Sequence, residues 1–337
     1  MRAAVLRAAG DVVVEERPTP RPGPGQVLVR VRSVGVCGSD THYYEHGRIG
    51  RFVVDSPLVL GHEASGEVVE LGEGVTDLVP GQRVSVEPGV PDLTCEQCLA
   101  GRYNLCPNMV FYATPPVDGA FAEYVVTHHA FAHPVPDTIS DDAAALLEPL
   151  SVAIWACRKG RVSAGSRVLV TGAGPIGLLA VQTALAFGAT DVAVSDVNPA
   201  RLQLAGELGA TRLVDARTER VTDLDPAPQV LLECSGFPPA IGDGIRALDR
   251  AGRAVLVGMG GDEVPLPLSM VQERELEVTG TFRYAGTWPT GIALVAAGRV
   301  DLDRLVTGSY SLEEAADALT ASRRDEHSVK VVVRPQT

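Results

Sequence analysis

The sequence predicts an α/β protein with two parts, a β-rich first part and a second part built on a doubly wound parallel sheet. Short β-branched runs broken by Gly and Pro fill roughly the first 150 residues, a pattern typical of strands and turns. From about residue 160, strands and helices alternate. A glycine-rich turn, Gly172-Ala173-Gly174-Pro175-Ile176-Gly177, joins the first of these strands to the first helix.

The strands of the first part are the segments with the strongest β-branched enrichment. They are VLVRVRSVGV (27–36), SGEVVELG (65–72) and GQRVSVEP (81–88).

The pattern of the second part predicts a regular alternation of strands and helices. Such an alternation forms a parallel sheet with right-handed crossovers. Its elements are strand 167–172, helix 175–188, strand 191–196, helix 199–208, strand 230–236, a helix near 239–249, and strands 253–259 and 276–282. Helices near 289–297 and 311–320 and a strand at 329–333 close the chain.

Composition excludes several classes of function. A formal net charge of −13 with a pI near 5.0 argues against nucleic-acid binding, which requires a basic face. No apolar run approaches the ~20 residues of a membrane span, and the N-terminal segment lacks the apolar core of a signal peptide. We therefore expect a cytoplasmic protein with reduced cysteines, which serve as metal ligands or buried thiols.

The turn Gly172–Gly177 has the GxGxxG spacing of a dinucleotide site and the required context, after a strand and before a helix. The glycines allow a pyrophosphate to approach the helix N-terminus. Asp196 ends the next strand, 19 residues after Gly177, where a carboxylate accepts ribose hydroxyls and repels a 2′-phosphate. The sequence therefore predicts NAD rather than NADP. The alternative is an α/β domain with a tight turn and a capping aspartate.

Two further motifs place zinc-ligand residue types in the β-rich part: Cys37-Gly38-Ser39-Asp40-Thr41-His42 and Gly61-His62-Glu63. Thiolate, imidazole and carboxylate are zinc ligands, and a catalytic zinc site uses three of them and leaves one position open. A lone Cys or His is more often a packed core residue. The presence of both motifs upstream of a dinucleotide fingerprint favours a metal site.

Together these motifs resemble the zinc-containing medium-chain alcohol dehydrogenases. Several stretches are similar to the sorbitol, L-iditol and xylitol dehydrogenase type, and the resemblance covers essentially the whole chain. The most informative stretches are HYYEHGRIGRFVV (42–54), GRYNLCP (101–107), FYATPPVDGAFAEY (111–124), LLEPLSVA (146–153) and TFRYAGTWP (281–289).

The resemblance implies a GroES-like catalytic domain of residues 1–150 and 284–337, and a Rossmann domain of residues 151–283. It implies NAD-dependent oxidation of a secondary hydroxyl of a polyol to the ketose by zinc-assisted hydride transfer. The implied cofactors are NAD and a catalytic zinc. The implied partners are a small polyol substrate and further copies of the chain in a dimer or tetramer, with no nucleic acid and no membrane.

The resemblance also assigns site residues. Cys37, His62 and Glu63 hold the catalytic zinc, and Glu148 is a competing ligand or holds the zinc-bound water. Ser39 and His42 form a proton relay. The polyol contacts are Tyr43, Phe111, Glu148, Arg283 and Tyr284. The NAD contacts are Gly172, Gly174, Ile176, Gly177, Asp196, Arg201, Val257, Gly258, Met259, Thr281, Phe282 and Arg283.

A second cysteine cluster, Cys95-x₂-Cys98-x₇-Cys106, is similar to the family's structural zinc lobe. That lobe has the pattern C-x₂-C-x₂-C-x₇-C, and its first position falls here on Asp92. Zinc accepts a carboxylate oxygen, so a Cys₃Asp structural zinc site is chemically reasonable. The alternative is an empty lobe with three free thiols.

Two other functions share parts of this pattern. A threonine, butanediol or simple secondary-alcohol dehydrogenase would share Cys37, His62 and Glu63, but Arg283 and Tyr284 favour a substrate with many hydroxyls. A non-catalytic NAD-binding protein could reuse the fold, since a fold does not fix a function. The presence of every catalytic residue type argues against it.

Overall fold

A computed structural model describes residues 1–261 and 263–337. The chain forms two compact units. The first unit comprises Met1–Glu148, Trp288–Ala296 and Leu302–Thr337, and the second comprises Pro149–Thr287 and Ala297–Asp301.

Up to residue 148 the first unit consists mainly of strands. The strands are β1 (Arg2–Ala8), β2 (Asp11–Glu16), β3 (Gln26–Gly35), β4 (Arg48–Ile49), β5 (Phe52–Val53), β6 (Leu58–Val59), β7 (Glu63–Leu71), β8 (Arg83–Val86), β9 (Gly89–Val90), β10 (Val110–Phe111), β11 (Tyr124–His128) and β12 (Ala132–Pro134). The helices are α1 (Gly38–His46), α2 (Glu96–Leu99) and α3 (Asp141–Ala145), and α4 (Leu147–Gly160) continues into the second unit.

The second unit alternates strands and helices. Its strands are β13 (Arg167–Thr171), β14 (Asp191–Asp196), β15 (Arg212–Asp215), β16 (Val230–Glu233), β17 (Arg253–Leu256) and β18 (Glu277–Gly280). Its helices are α5 (Pro175–Ala186), α6 (Pro199–Glu207), α7 (Pro238–Ala247) and α8 (Leu268–Glu273).

The chain ends with further elements of the first unit: α9 (Trp288–Ala296), β19 (Val306–Tyr310), α10 (Ala315–Arg324) and β20 (Lys330–Val333). Short 3₁₀ helices lie at Tyr103–Leu105, His129–Phe131, Val221–Asp223 and Asp303–Leu305.

The main sheet of the first unit has the strand order β12-β8-β7-β3-β20-β19, with β11 also paired to β3. Alternate residues of β3 face the core, where Val27, Val29 and Val31 are completely buried. The antiparallel register pairs Gly35, at the end of β3, with Glu63, at the start of β7. This register brings the Cys37 motif and the His62-Glu63 motif to the same end of the sheet.

The second unit has a fully parallel sheet of order β15-β14-β13-β16-β17-β18. The strand order reverses between β13 and β16, which makes their carboxyl ends the switch point where ligands bind in doubly wound folds. Leu169, Leu231 and Ala254 on the central strands are completely buried. The predicted α/β class, with a β-rich domain and a Rossmann sheet, is confirmed.

Several predicted elements differ in length from the observed ones. The strand predicted at 230–236 ends at Glu233, because the Glu233 carboxylate accepts hydrogen bonds from the next backbone N–H groups and turns the chain. The helix predicted at 311–320 begins only at Ala315, because Ser311 forms a turn closed by the Glu314 side chain. Among the described residues, no helix is long and apolar enough to cross a bilayer.

Candidate active site

Cys37, His62 and Glu63 form a compact cluster in the first unit. Each side chain offers one ligand atom, and these atoms lie within 4.8 Å of one another. Cys37 is the residue before α1, and the other two residues begin β7. His62 and Glu63 are buried and Cys37 is half-buried. A thiolate, an imidazole and a carboxylate at this spacing match the donor set of a catalytic zinc.

Asp40 supports this cluster, although the sequence analysis assigned it no role beyond membership of the motif. Its buried carboxylate accepts the backbone N–H of Cys37 at 3.0 Å and that of Gly61 at 2.9 Å, and it lies 3.6 Å from Nδ1 of His62. Burial opposes the charge on Asp40, but His62 and the two backbone N–H groups together outweigh it and hold the pKa of Asp40 below its ordinary value. Asp40 therefore ties both motifs together and orients the His62 ring.

Lys330 is the second residue that the sequence analysis missed. Its Nζ donates to Oε1 of Glu63 at 2.5 Å and to the carbonyl of Val36 at 2.8 Å, and both side chains of the ion pair are almost completely buried. Burial opposes protonation of Lys330, but the negative charges of Glu63, Cys37 and Glu148 together outweigh it and raise the pKa of the ammonium group. No local pattern could reveal this pair, because the two residues are 267 positions apart in the chain.

The second carboxylate oxygen of Glu63 has a different environment. Oε2 is buried and has no hydrogen-bond partner among the described residues. It lies against Gly35, where any side chain would overlap it. A buried carboxylate oxygen without a partner is costly in a folded protein, and a cation beside it removes that cost. The cluster therefore fits a zinc ion held by Cys37, His62 and Glu63.

Glu148 is buried at the start of α4 but does not belong to this three-residue cluster. Its charge contributes to the raised pKa of Lys330, so it lies near the ion pair. The geometry places Glu63, rather than Glu148, with Cys37 and His62.

Four other predicted residues lie close in sequence or space to the cluster. Ser39 and His42 are both on α1, three positions apart and thus on one side of the helix. Ser39 is half-buried and His42 is exposed. The Phe111 ring lies 5.8 Å from the His62 ring, which places Phe111 at the wall of the candidate site. Tyr43, also on α1, is buried in the core of the first unit.

The predicted NAD residues lie in the second unit, at or just after the carboxyl ends of the strands. Gly172 follows β13, Asp196 ends β14, residues 257–259 follow β17, and residues 281–283 follow β18. Gly172 has a φ of 85°, and a side chain at Gly177 would overlap the Gly172 carbonyl. Both positions therefore require glycine to make the tight turn into α5. Arg201 lies in α6.

Asp196 links these parts of the fingerprint. Its Oδ2 accepts the backbone N–H of Ala173 at 2.5 Å, and its Oδ1 accepts that of Asn198 at 2.8 Å. The carboxylate is thereby fixed beside the glycine turn, in the position where the fold places a ribose.

The remaining predicted substrate residues, Arg283 and Tyr284, are also in the second unit. Arg283 has a φ of 53°, unusual for a residue with a side chain, and its guanidinium lies 4.9 Å from the centre of the Phe282 ring. Tyr284 is buried. Backbone strain of this kind is frequent at functional sites, which agrees with a role for this segment.

The lobe around α2 brings the other four predicted ligands together. Ligand atoms of Asp92, Cys95, Cys98 and Cys106 lie within 4.8 Å of one another. Oδ1 of Asp92 accepts the backbone N–H of Cys95 at 2.9 Å, three residues on, just as Sγ of Cys95 accepts that of Cys98 at 3.4 Å. The carboxylate oxygen of Asp92 and the sulfur of Cys95 thus each accept the backbone N–H of the residue three positions further on. The donor set fits a Cys₃Asp zinc site.

Comparison with known proteins agrees with this geometry. Residues 23–137 match the family model of the alcohol dehydrogenase GroES-like domain, and residues 175–297 match that of zinc-binding dehydrogenases. Sorbitol dehydrogenase of Gallus gallus is 45% identical over 98% of this chain and 96% of its own length. Sorbitol dehydrogenase of Bacillus subtilis is 41% identical over 99% of this chain and 97% of its own length.

Similarity to solved structures extends over the whole chain as well. The crystal structure of 2R,3R-butanediol dehydrogenase from Bacillus subtilis matches with a TM-score of 0.92 and 33% identity, covering 99% of each chain. Fold, ligand cluster and fingerprint together define a zinc-dependent oxidoreductase that uses NAD. The chain belongs to the zinc-containing medium-chain alcohol dehydrogenase family, and within it to the sorbitol dehydrogenase type.

Proposed function

We propose that this enzyme oxidises a secondary hydroxyl of an open-chain polyol, of the sorbitol, L-iditol or xylitol type, to the ketose and transfers the hydride to NAD. The observation that carries the proposal is the Cys37, His62 and Glu63 cluster. Similarity to sorbitol dehydrogenases over nearly the full chain supports the polyol as substrate.

When bound, zinc supplies a Lewis acid that lowers the pKa of the substrate hydroxyl. The residues around it have separate tasks. Asp40 fixes the ring of His62, and Lys330 holds Oε1 of Glu63. Ser39 and His42 lie on one side of α1, running from the half-buried to the exposed part of the helix, and we assign them the transfer of the hydroxyl proton to solvent.

The decisive measurement is a steady-state comparison of four alcohols with NAD: sorbitol, xylitol, L-threonine and 2,3-butanediol. We expect the highest kcat/KM with one of the two polyols. Activity confined to L-threonine and 2,3-butanediol would contradict the proposal and favour the second candidate, a butanediol or threonine dehydrogenase. The structural similarity to 2R,3R-butanediol dehydrogenase is the observation in favour of that candidate.

The lobe of Asp92, Cys95, Cys98 and Cys106 is proposed to hold a second, structural zinc. Metal analysis of the purified protein is then expected to give two zinc ions per subunit, and Cys98→Ser should reduce this to one while the catalytic zinc stays in place. A single zinc in the unmodified protein, lost together with activity on chelation, would show that the lobe is empty.

We also retain the domain division at residues 150 and 284, a cytoplasmic location and assembly into a dimer or tetramer as proposals. Light scattering of the purified protein measures the assembly directly. A monomer at micromolar concentration would contradict it.

A further inference from the structure

Glu233 is a buried carboxylate in the second unit to which neither the predicted cofactor contacts nor the metal chemistry assigns a role. It is the last residue of β16 and is 0% exposed. It lies at the switch point of the sheet, opposite Thr171 of β13, the residue immediately before the glycine turn. Because Glu233 has no exposed surface, it cannot itself touch a bound dinucleotide.

The side chain is saturated with donors from two neighbouring segments. Oε1 accepts Thr171 Oγ1 at 3.3 Å, the backbone N–H of Ser235 at 2.9 Å and that of Gly236 at 3.1 Å, and it also accepts the Ser235 hydroxyl. Oε2 lies 3.2 Å from the same Gly236 nitrogen. Glu233 therefore fixes residues 234–237 as a tight loop and ties that loop to the end of β13. Ser235 Oγ in turn accepts the N–H of Phe237 at 3.1 Å.

This loop fits tightly between the two glycine-containing segments that carry predicted NAD contacts. A Cβ added at Gly172 would lie 2.9 Å from the Cα of Ser235. A Cβ at Gly258 would overlap the Gly236 nitrogen, and one at Gly260 would overlap the Gly236 carbonyl. Backbones this close leave no room for the loop to shift without moving the glycine turn on one side or residues 258–260 on the other.

We propose that Glu233 is a positioning residue of the NAD site, which holds residues 234–237 as the spacer between the glycine turn and the 258–260 segment. Through this loop, the glycine turn keeps the geometry that receives the pyrophosphate. The inference rests on NAD binding and does not depend on which alcohol is oxidised.

The test compares graded variants of Glu233 by their dissociation constant for NAD, measured by fluorescence titration or calorimetry of the zinc-loaded enzyme. Glu233→Met has a similar length but no acceptor, so several buried donors lose their partner, and we expect the Kd for NAD to rise about tenfold or more. Glu233→Gln keeps one oxygen in the position that accepts most of the bonds. Its Kd should rise by less than about threefold, which amounts to rescue by the conservative variant.

A matched control separates positioning from general loss of stability. Arg167 lies at the opposite, amino end of β13 and bonds Ala227 and Asp249 of the same unit. Arg167→Met should lower the unfolding temperature and leave the Kd for NAD unchanged. If Glu233→Met does not fold, Ser235→Ala takes its place, with a smaller rise in Kd of about threefold.

The KM for the alcohol and the zinc content should stay unchanged in these variants, which separates failure of this inference from failure of the proposed function. A folded Glu233→Met enzyme, or a folded Ser235→Ala enzyme, that binds NAD as tightly as the unmodified protein would overturn the proposal. An equal loss of NAD affinity in Glu233→Met and Arg167→Met would overturn the proposal too.

Discussion

At the scale of single residues, the candidate metal centre depends on how two carboxylates are used. Asp40 accepts hydrogen bonds from one backbone N–H group of each motif, those of Cys37 and Gly61. Glu63 forms an ion pair with Lys330. Glu63 is thus fixed by a cation on one side and available to a second cation on the other. Burying two charges costs desolvation energy, so a buried ion pair adds little to the stability of the fold. We therefore assign the pair the task of holding the Glu63 carboxylate in place at the metal site.

The first prediction concerns this pair. Lys330→Met leaves the Glu63 charge buried without a partner in the metal-free protein, at a cost of about 3–5 kcal/mol. Zinc offsets part of this cost, so the metal-loaded protein should lose less stability than the metal-free one. Thermal unfolding with and without zinc measures the difference. Lys159, the other lysine of the chain, is the control, and Lys159→Met should lower both unfolding temperatures alike or not at all. An equal loss of stability in the metal-loaded and metal-free forms of Lys330→Met would show that Lys330 acts independently of the metal.

The second prediction concerns the choice between NAD and NADP. Asp196→Asn keeps an oxygen that can accept the N–H of Asn198 but removes the charge that repels a 2′-phosphate. The ratio of kcat/KM for NADP to that for NAD should rise about tenfold, the effect of roughly 1.4 kcal/mol. Asp191→Asn, at the amino end of the same strand, should leave the ratio unchanged. An unaltered ratio in Asp196→Asn would remove Asp196 from the ribose site.

At the scale of elements, the pairing of β3 with β7 places Cys37 beside His62. The pairing is reinforced on its half-exposed face, where Glu67 of β7 accepts hydrogen bonds from Arg30 at 2.8 Å and from Arg32 at 2.9 Å, both on β3. These bonds, first of all the one from Arg30, hold the pKa of Glu67 below its ordinary value. The stabilisation exists when Glu67 is charged and disappears when it is protonated.

The third prediction follows from the sign of that shift. Because the pKa of Glu67 is lowered in the folded state, its contribution is complete above the ordinary carboxyl pKa and is lost as the pH falls through the folded value. Glu67→Gln should cost about 1 kcal/mol of unfolding free energy at pH 7 and almost nothing at the acid end of the range. Urea unfolding at several pH values measures this. Glu70→Gln, an exposed position of the same strand, should show no such pH-dependent difference, and a constant cost for Glu67→Gln at all pH values would contradict the ion-pair account.

Most of the alternation of strands and helices in the second unit was visible in the sequence, because those elements carry their own hydrophobic pattern and their own Gly or Pro boundary. The short elements β15 and α8 of that unit were not predicted. The short strands β9 and β10 were not predicted. A two-residue strand has no period of its own, and it forms only because the register of the surrounding segments brings it to a partner.

At the scale of the whole molecule, the metal ligands and the predicted NAD residues belong to different compact units. All four candidate ligands of the catalytic metal lie in the first unit, and the glycine turn, Asp196 and residues 257–259 lie in the second. The two cofactors therefore rely on separate hydrophobic cores.

The fourth prediction uses this separation. Removal of zinc by a chelator should abolish alcohol oxidation while the Kd for NAD, measured by fluorescence titration, stays unchanged, because the metal ligands and the predicted NAD residues belong to different units. Addition of zinc should restore the activity. Loss of NAD binding on chelation would show that the metal also organises the second unit.

The sequence by itself determined the fold class, the family, and the residue types of the metal cluster, the lobe and the dinucleotide turn. Those features are local: a CGSD or GHE motif, a Cys spacing, or a glycine turn between a strand and a helix is visible within a few residues. The tertiary structure decided which carboxylate joins Cys37 and His62, the pairing of Lys330 with Glu63, and the role of Asp40 between the two motifs. It also decided how Glu233 is saturated with donors. These depend on burial and on contacts between residues far apart in the chain, and only the folded backbone brings such groups within hydrogen-bonding distance.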